Sequence, residues 1–564
     1  MPSPKLLSIS AAAVLTLILC SCSSGTSSTS QPTAPTNPMP PTNPTPPSPP
    51  AATVPDVTTY HYNLNRDGLN AQETILTPAN VSSASFGKVG FDTVDGKVDA
   101  EPLFLANLSV GGATHNVLYV ESEHGTAYAF DADSGAQLWK TSVIPSGEMT
   151  SDDHKCSQIS TEIGITDTPV IDRGFGTNGG IFFVSMSKDA SGAYHQRLHA
   201  LDITTGAELS GSPTEITASY PGTGDNSSGG MVAFDPGQYA ERSAVSLING
   251  TLYLGFTSHC DFRPYTGWLM GYSESTLKQT QLLNLTPNGN EGSIWMSGNG
   301  FSADAAGNIY LLDANGTFDT TFDASGMPTS GDYGNAMLKL RVDPNTGKIG
   351  VVDYFNAFNT VMQSADDVDL GSGGQVLLPD MTDASGTVRH LIVGAGKDKN
   401  IYLADRDNLG KFNAAQMDGN LYQKITGQLA GLNYTTPAFF NGVLYIASDG
   451  DTLKAFPFTS AKLATTPSSH SAATFAHPGS TPAVSANGTK DGIVWAVESG
   501  ATKPGVLHAY DPTNLQNEFY NSNQAASGRD SFGNGNKFIT PLVVNGKVYI
   551  GTQTGVAVFG LLPH

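Results

Sequence analysis

The chain has 564 residues, of which 14% are charged and 62 are glycines. Its 50 acidic and 28 basic residues give a net charge of -22 at pH 7, which argues against nucleic acid or an anionic membrane surface as the main partner. The glycines and the many small polar residues favour short strands joined by tight turns. No long segment has helical periodicity, so the composition predicts a β-rich protein.

The first 21 residues have the features of an export signal. Lys5 supplies a positive charge, and residues 6–19, "LLSISAAAVLTLIL", form an apolar segment too short to span a bilayer. The following "LCSC" matches the pattern at which bacterial lipoproteins are cleaved and lipidated, with Cys22 as the lipidated residue. The alternative is an ordinary cleaved signal with two incidental cysteines. We therefore predict a lipoprotein signal peptide over residues 1–21.

Residues 22–55 are rich in Pro, Ser and Thr and have few apolar residues, so they cannot form a core. In polyproline II geometry such a segment reaches on the order of 90 Å, which is typical of a stiff tether. The predicted localisation is the cell envelope, with the protein exported and held at a membrane by its N-terminal lipid. Ser23 after the lipidated position favours the outer membrane. The folded domain is predicted over residues 56–564.

One short phrase recurs along the folded domain: strand, Asp-led turn, strand. It is found as "AFDADSGAQLW", "ALDITTGAEL", "LKLRVDPNTGKI", "YLADRDNLGKF" and "HAYDPTNLQNEF", which begin at residues 129, 200, 338, 402 and 508. Each copy belongs to a set of four short strands, which is the pattern of a β-propeller blade. The sets begin near residues 100, 165, 242, 295, 370, 434, 479 and 538. The predicted fold is an all-β, eight-bladed propeller.

The chain ends before the last set has its outer strand. Residues 86–94, "FGKVGFDTV", can supply that strand from the N-terminal side, which closes the ring and leaves no free edge. In such a blade the turns between strands one and two and between strands three and four share one side. The loops between strands two and three, and the crossovers to the next blade, share the other side.

The Asp-led phrases fall on the turns between the third and fourth strands. There Asp accepts hydrogen bonds from its own backbone and Gly adopts a positive φ. "DADSG" at residues 131–135 also resembles the start of a calcium loop, but the remaining oxygen ligands and the terminal Glu are missing. The repeat is therefore interpreted as structural, and functional residues are expected on the loop side.

The repeats resemble those of the quinoprotein alcohol dehydrogenases and their wider group of pyrroloquinoline quinone (PQQ) propellers. The phrase ending at Trp139 is similar to the family's tryptophan-docking motif, in which a fourth-strand Trp packs between blades. At the site level the resemblance depends on three stretches: "GSIWMSGNGFSADAAGNIYLLDANGTFD", "SADDVDLGSGGQVLLPD" and "LIVGAGKDKNIYLADRDNLGK".

The resemblance implies a role for one or two residues in each stretch. Trp295 corresponds to the floor beneath the quinone, and Asn315 to a calcium ligand. Asp369 corresponds to the catalytic base, and Lys397 to the cation that bonds the quinone oxygens. Such a set suits the chemistry, because a flat ring needs a stacking partner and an alcohol needs a base. The implied cofactors are PQQ and Ca²⁺.

The chain also departs from the family pattern. Ser191 stands where the family has its second calcium ligand, a Glu, and a hydroxyl is a poor substitute for a carboxylate unless a neighbour such as Glu162 replaces it. The adjacent cysteine pair that covers the quinone is missing, and so is any CxxCH haem motif. Each candidate also has a structural interpretation, such as Trp295 plugging the channel or Asp369 capping a loop.

The two remaining cysteines, Cys156 and Cys260, are predicted on loop-side segments of adjacent blades. In an exported protein such a pair predicts a disulfide, worth about 2–4 kcal/mol. The alternative is a metal site at "SHCD", formed by His259, Cys260 and Asp261. Three consecutive residues seldom converge on one ion, so the disulfide is preferred.

Two functions are the main candidates, with an assembly scaffold or an unrelated hydrolase as the remaining alternatives. The first is a membrane-tethered, non-enzymatic propeller that binds a protein, glycan or small-molecule ligand on its loop side, and the lost calcium ligand and cysteine pair favour it. The alternative is a PQQ-dependent dehydrogenase that oxidises an alcohol or sugar, with Asp369 as the base. Nucleic acid is not expected as a partner of either.

Overall fold

The computed structural model describes residues 54–500 and 503–563. The predicted signal peptide, the lipidation site Cys22 and all but the last two residues of the predicted tether lie outside this range. In the described part the protein is all-β, as predicted, and its one α-helix is Thr360–Ala365. Short 3-10 helices lie at Pro236–Gln238, Met296–Gly298, Ala414–Gln416, Ser522–Gln524 and Ala526–Gly528. None of the helices described is long and apolar enough to cross a membrane.

The described strands form ten sheets, eight of which have four or more strands. We number these eight in the order of their inner strands. The first four contain strands as follows. First sheet: Leu103–Val110, Ala113–Ser122, Thr126–Asp131, Gln137–Ser142. Second: Met149–Asp152, Glu162–Ile163, Val170–Asp172, Gly180–Lys188, Tyr194–Asp202, Thr214–Glu215. Third: Tyr239–Glu241, Ser246–Ile248, Thr251–Ser258, Trp268–Ser273, Gln279–Asn284. Fourth: Ser302–Ala303, Ile309–Leu312, Met337–Val342, Ile349–Phe355.

The other four follow the same plan. Fifth sheet: Val376–Leu377, Leu391–Ala395, Ile401–Asp405, Gln423–Ile425. Sixth: Ala438–Phe440, Val443–Ile446, Asp451–Thr459, Lys462–Leu463, Ser469–Phe475. Seventh: Leu69–Asn70, Ala483–Asn487, Lys490–Gly500, Lys503–Tyr510, Glu518–Asn521. Eighth: Leu542–Val544, Lys547–Gly551, Gly555–Leu561, Phe86–Thr93. Two small sheets are formed by Ser219–Pro221, Ser227–Ser228 and Met231–Ala233, and by Met381–Thr382 and Val388–Arg389.

Within the eight larger sheets the main strands pair antiparallel in chain order. The eighth sheet differs because it joins two distant parts of the chain. Phe86–Thr93 pairs antiparallel with Gly555–Leu561, with Phe86 opposite Leu561 and Thr93 opposite Gly555. The seventh sheet has a further N-terminal strand, since Leu69–Asn70 pairs in parallel with Ala483–Asn487. Residues near the N-terminus of the domain therefore stabilise sheets formed by its C-terminal part.

The hydrophobic core lies between the sheets. One cluster of buried residues combines side chains of the first, second and eighth sheets, among them Tyr119, Phe183 and Tyr549. A second combines the third, fourth and fifth sheets. Because both surfaces of a sheet are covered by its neighbours, strands such as Leu391–Ala395 are buried at every residue. This burial explains the continuous apolar runs in the sequence.

The recurring Asp-led phrases form turns on one side of the sheets, as predicted. Asp131 accepts hydrogen bonds from the backbone nitrogens of Asp133 and Ser134. Asp202 and Asp343 make equivalent bonds within their own turns. The prediction was less accurate for the fourth strands of the second and fifth sheets. They begin at Thr214 and Gln423, several residues after the end of the repeat.

Trp139 contacts the neighbouring sheet, as the docking motif implies. It lies on the outer strand of the first sheet, and its indole nitrogen donates to the carbonyl of Ile203 at 3.0 Å. Gly206, in the Asp-led turn of the second sheet, lies directly against the ring. A Cβ on Gly206 would come within 2.6 Å of the Trp139 ring. The turn of one sheet therefore packs on the outer strand of the previous one.

Candidate functional site

A cavity of about 270 Å³ lies on the loop side of the domain. Crossovers and second-to-third-strand loops from the second through the eighth sheets form its wall. Trp295 and Asp369 are on crossovers, and Lys397 is on a loop, where the connectivity predicts them. All three line the cavity. Residues that are distant in sequence therefore converge on one site.

Asp369 is the centre of this convergence. Its carboxylate lies 3.1 Å from the Lys397 ammonium and accepts a hydrogen bond from the Trp295 indole nitrogen at 3.3 Å. Asn315 contributes its backbone nitrogen, 3.3 Å from the other carboxylate oxygen. The four residues singled out in the sequence thus meet at one carboxylate. The Asn315 side chain is buried, and the residue is not part of the cavity wall.

The ion pair at Asp369 is buried. The side chains of Asp369 and Lys397 are 3% and 10% exposed. Burial raises the pKa of Asp369 to about 6, with a contribution from the nearby Asp367 and Asp261, while Lys397 lowers it. Burial would lower the pKa of Lys397, but Asp369 and Asp367 raise it above the ordinary value. The ammonium lies 2.5 Å from the Asp367 carboxylate, so two carboxylates contact one cation.

Four aromatic residues form a cluster in the cavity wall: Trp295, Tyr434, His477 and Phe538. The Trp295 ring lies 6.0 Å from that of Tyr434 and 5.9 Å from that of Phe538. His477 contacts Tyr434 and Phe538, with ring centres 5.2 and 6.5 Å apart. These residues come from the crossovers into the fourth, sixth, seventh and eighth sheets. Trp295 is therefore one member of an aromatic cluster rather than an isolated platform.

The cavity wall also contains the disulfide Cys156–Cys260, which confirms the predicted pairing. It joins the second and third sheets across 104 residues of sequence. The competing metal site at "SHCD" is not supported. Cys260 is in the disulfide, the His259 ring stacks on His154, and the described residues contain no group of three or more His, Cys, Asp or Glu that could hold a metal.

The residues at Asn315 do not fit a resident calcium ion. Calcium takes six to eight oxygen ligands, including carboxylates, but the Asp369 carboxylate is already engaged by Lys397, whose charge would repel the ion. Ser191, at the place of the missing Glu, lies in an exposed turn and donates to Asp189. Glu162 lines the same outer depression as Ser191, apart from the cavity, and bonds His124. Neither replaces the missing ligand.

Comparison with known proteins gives similarity in structure alone. No family model matches the chain, and no curated protein matches it. A quinohemoprotein alcohol dehydrogenase of Pseudomonas putida HK5 is 13% identical with a TM-score of 0.57, over 90% of this chain and 80% of that one. The corresponding enzyme of Comamonas testosteroni is 14% identical with a TM-score of 0.57, over 91% and 81%. BamB of Moraxella catarrhalis is 12% identical over 85% of this chain and 98% of that one, with a lower TM-score of 0.43.

At these identities the similarity shows the fold. The chain has the quinoprotein type of β-propeller fold. The similarity does not show that this chain has the enzymes' activity, since one propeller fold supports many functions.

Within the propeller, several cavity residues were not found from the sequence. Arg242 and Phe538 both line the cavity, and the Arg242 guanidinium lies over the Phe538 ring at 4.8 Å. Asp367, Tyr434 and His477 were also missed. A signal existed for Arg242, because "AERSAVS" at residues 240–246 places a charge directly before an apolar inner strand. Phe538 offers no such signal, since it stands among ordinary strand residues.

Proposed function

We propose that this protein is an exported, lipid-anchored β-propeller that binds a small-molecule ligand in its loop-side cavity. The eight larger sheets are its blades, and Phe86–Thr93 closes the ring through the eighth. One observation carries the proposal. The Asp369 carboxylate is held by Lys397 and Trp295 inside an aromatic, charged cavity, so the groups expected to perform chemistry are bonded to one another. A cavity of this composition is suited to binding.

Export and anchoring are supported by the sequence and by the disulfide. Disulfides persist in oxidising compartments and are rare in the cytosol, which agrees with a signal peptide over residues 1–21. A lipid on Cys22 and a tether over residues 22–55 would hold the propeller away from the membrane. Labelling with radioactive palmitate tests this step, and Cys22→Ser should abolish the label while Cys20→Ser should not.

The ligand-binding proposal is tested with a small-molecule library screened by thermal shift. A ligand that binds only the folded state raises its stability, by about 2.7 kcal/mol at a hundred times its Kd. We expect compounds that raise the Tm of the wild type to lose this effect in His477→Ala. His390→Ala is the matched control, because both histidines bond an Asp and have similar exposure, 46% and 39%, but only His477 lines the cavity.

Two results would count against ligand binding in this cavity. One is a library in which no compound raises the Tm of the wild type. The other is a set of compounds whose effect is the same in the two histidine variants.

The second candidate is a PQQ-dependent dehydrogenase, favoured by the convergence of Trp295, Asp369 and Lys397 on one cavity. The aromatic cluster and the cationic side chains of Lys397 and Arg242 fit the ring and the carboxylates of the quinone. When bound, PQQ would supply the two-electron oxidation of an alcohol. Asp369 would accept the alcohol proton, since a carboxyl of pKa about 6 is deprotonated at neutral pH.

Dye reduction separates the two candidates. The protein is given PQQ, an alcohol and an electron-accepting dye, and reduction is followed in the wild type, Asp369→Asn and Asp366→Asn. Asp366 is exposed and serves as the control. A binding protein reduces no dye in any of the three. Turnover that is lost only in Asp369→Asn would establish the dehydrogenase instead.

A further inference from the structure

Arg242 occupies an unusual position in the cavity wall. It directly follows the strand Tyr239–Glu241, and the residue is only 5% exposed. Its guanidinium lies over the Phe538 ring at 4.8 Å. This contact is a cation–π interaction, which uses none of the five N–H donors of the side chain. The donors are therefore available to another group.

No hydrogen bond or ion pair within 4 Å satisfies these donors in the described part of the chain. The acids that attract Arg242 electrostatically are Asp99 and Glu123, and both have other partners. Asp99 is paired with Lys97 at 3.0 Å. Glu123 accepts from Gly164 and Thr166, and burial together with the charge of Asp99 raises its pKa well above the ordinary value.

Arg66 shows how this protein treats a buried arginine that has a structural role. It is fully buried and donates to Phe301, Thr59, Tyr60 and Ser246 at 2.7 to 3.1 Å. A buried guanidinium without such acceptors is costly to fold. Arg242 lines a cavity, and none of its nitrogens is among the fully enclosed side-chain atoms without a partner, so its donors open on the cavity, where an oxyanion from outside the chain could supply the acceptors.

The charges around the cavity limit what that oxyanion can be. Near Arg242 stands a second cation, Lys537, whose pKa is lowered by burial and by the charges of Arg242 and Lys97. At Lys397, in contrast, Asp367 and Asp369 together exceed the charge of the cation, and Asp261 is near. The charges near Arg242 therefore attract an anion, whereas those around Lys397 attract hydrogen-bond donors or a cation.

We propose that Arg242 binds the carboxylate of a small monocarboxylic acid that also carries a hydroxyl or ammonium group, such as a hydroxy acid or an amino acid. The planar guanidinium donates two parallel N–H bonds to a carboxylate. The hydroxyl or ammonium group faces the acids around Lys397, and the aromatic cluster contacts the apolar part of the ligand. This inference rests on the proposed ligand-binding function and names the ligand class.

The test uses the full protein and four probes: L-phenylalanine, 3-phenyllactate and the amides of both. Binding is measured by calorimetry and thermal shift in the wild type, Arg242→Gln, Arg242→Lys and Arg341→Gln. Arg341 is exposed and provides the matched control. We expect at least one acid to bind, its amide to bind at least tenfold more weakly, and Arg242→Gln to lose at least tenfold in affinity for the acid. The affinity of Arg242→Lys for the acid should lie between those of the wild type and Arg242→Gln, because lysine keeps the positive charge but lacks the two parallel N–H donors of the guanidinium.

The two acids distinguish a hydroxyl from an ammonium group as the second recognition element. The inference is overturned if acids and amides bind alike, if Arg242→Gln binds the acid as the wild type does, or if neither acid binds at millimolar concentration. If neutral library compounds still raise the Tm of the wild type but not that of His477→Ala, the proposed ligand-binding function remains supported. Without ligand, a cooperative melting transition of Arg242→Gln shows that the variant folds. Should that variant not fold, the comparison of acid with amide in the wild type decides.

Discussion

The two sides of the sheets satisfy their charged groups in different ways. On the turn side, the repeated Asp residues accept hydrogen bonds from the backbone of their own turns, as at Asp131, Asp202 and Asp343. On the loop side, the Asp369 carboxylate depends on partners 28 to 74 residues away, Lys397 and Trp295, and the Arg242 guanidinium makes no hydrogen bond among the residues described. Local bonds serve folding, whereas incompletely satisfied charges are typical of functional sites.

The strongest test of this comparison removes the cation at Asp369. Lys397→Met leaves Asp369 buried without its counter-ion. Breaking a buried pair from one side costs about 3–5 kcal/mol, so we expect a loss of unfolding free energy in that range in urea titrations. Lys399→Met is the control, because Lys399 is exposed and should change stability by less than about 0.5 kcal/mol. Equal, small losses in both variants would mean that Asp369 does not need the pair.

The second test concerns the disulfide, a link between distant residues on the loop side. Cys156→Ser with Cys260→Ser removes a link across 104 residues, and we expect the unfolding free energy to fall by about 2–4 kcal/mol. A reducing agent should lower the Tm of the wild type and leave the double variant unchanged. A wild type that is insensitive to full reduction would show that the bond contributes nothing to stability.

On the turn side, the expected effects are smaller and depend on packing. Gly206 and Gly347 occupy the same place in two repeats and have φ values of 69° and 66°, but only Gly206 lies against Trp139, and nothing lies within 4 Å of a Cβ at Gly347. Gly347→Ala should cost about 1 kcal/mol for the left-handed backbone. Gly206→Ala should cost a further 1–3 kcal/mol or so from overpacking. Equal Tm values for the two variants would contradict the docking role of Trp139.

These contrasts explain what could be predicted from the sequence. The strands and Asp-led turns are encoded by neighbours in sequence, so the repeat at residues 129–139 predicts its local structure well. Successive strand connections alternate between the two sides of a sheet. The strand order alone therefore places Trp295, Asp369 and Lys397 on the loop side, even where no contact is known. The disulfide followed from the same reasoning about adjacent loops.

Contacts across the cavity could not be predicted in this way. Arg242 and Phe538 are 296 residues apart, and their interaction depends on how the sheets are arranged around the cavity. The position of Ser191 was predicted from register within a loop, but that loop is the short turn of a hairpin whose strands pair up to Lys188 and Tyr194, and Ser191 lines a different depression. Sequence distance and loop length therefore limited the prediction of the site more than that of the fold.

The last prediction concerns pH and compares a loop-side acid with a turn-side acid. Glu101 accepts a hydrogen bond from the His61 backbone, and burial raises its pKa from 4.5 to about 8. Between these two values the folded state holds a proton that the unfolded state has lost. The unfolding free energy should therefore fall as pH rises through this window, by at most about 1.4 kcal/mol per pH unit for this one group.

Glu101→Gln should remove the contribution of Glu101 to the fall of the unfolding free energy with pH, measured in urea titrations between pH 5 and 8. Asp131 gives the opposite sign: burial opposes the shift, but hydrogen bonds from His115 and Ser134 hold its pKa at about 2. Its stabilising effect is fully present above pH 3.8 or so and is lost as the pH falls toward 2. The unfolding free energy of Asp131→Asn, plotted against pH, should thus run parallel to that of the wild type from pH 5 to 8. Parallel curves for Glu101→Gln as well would mean that Glu101 is ionised in the folded protein, and that the loop side tolerates a further buried charge.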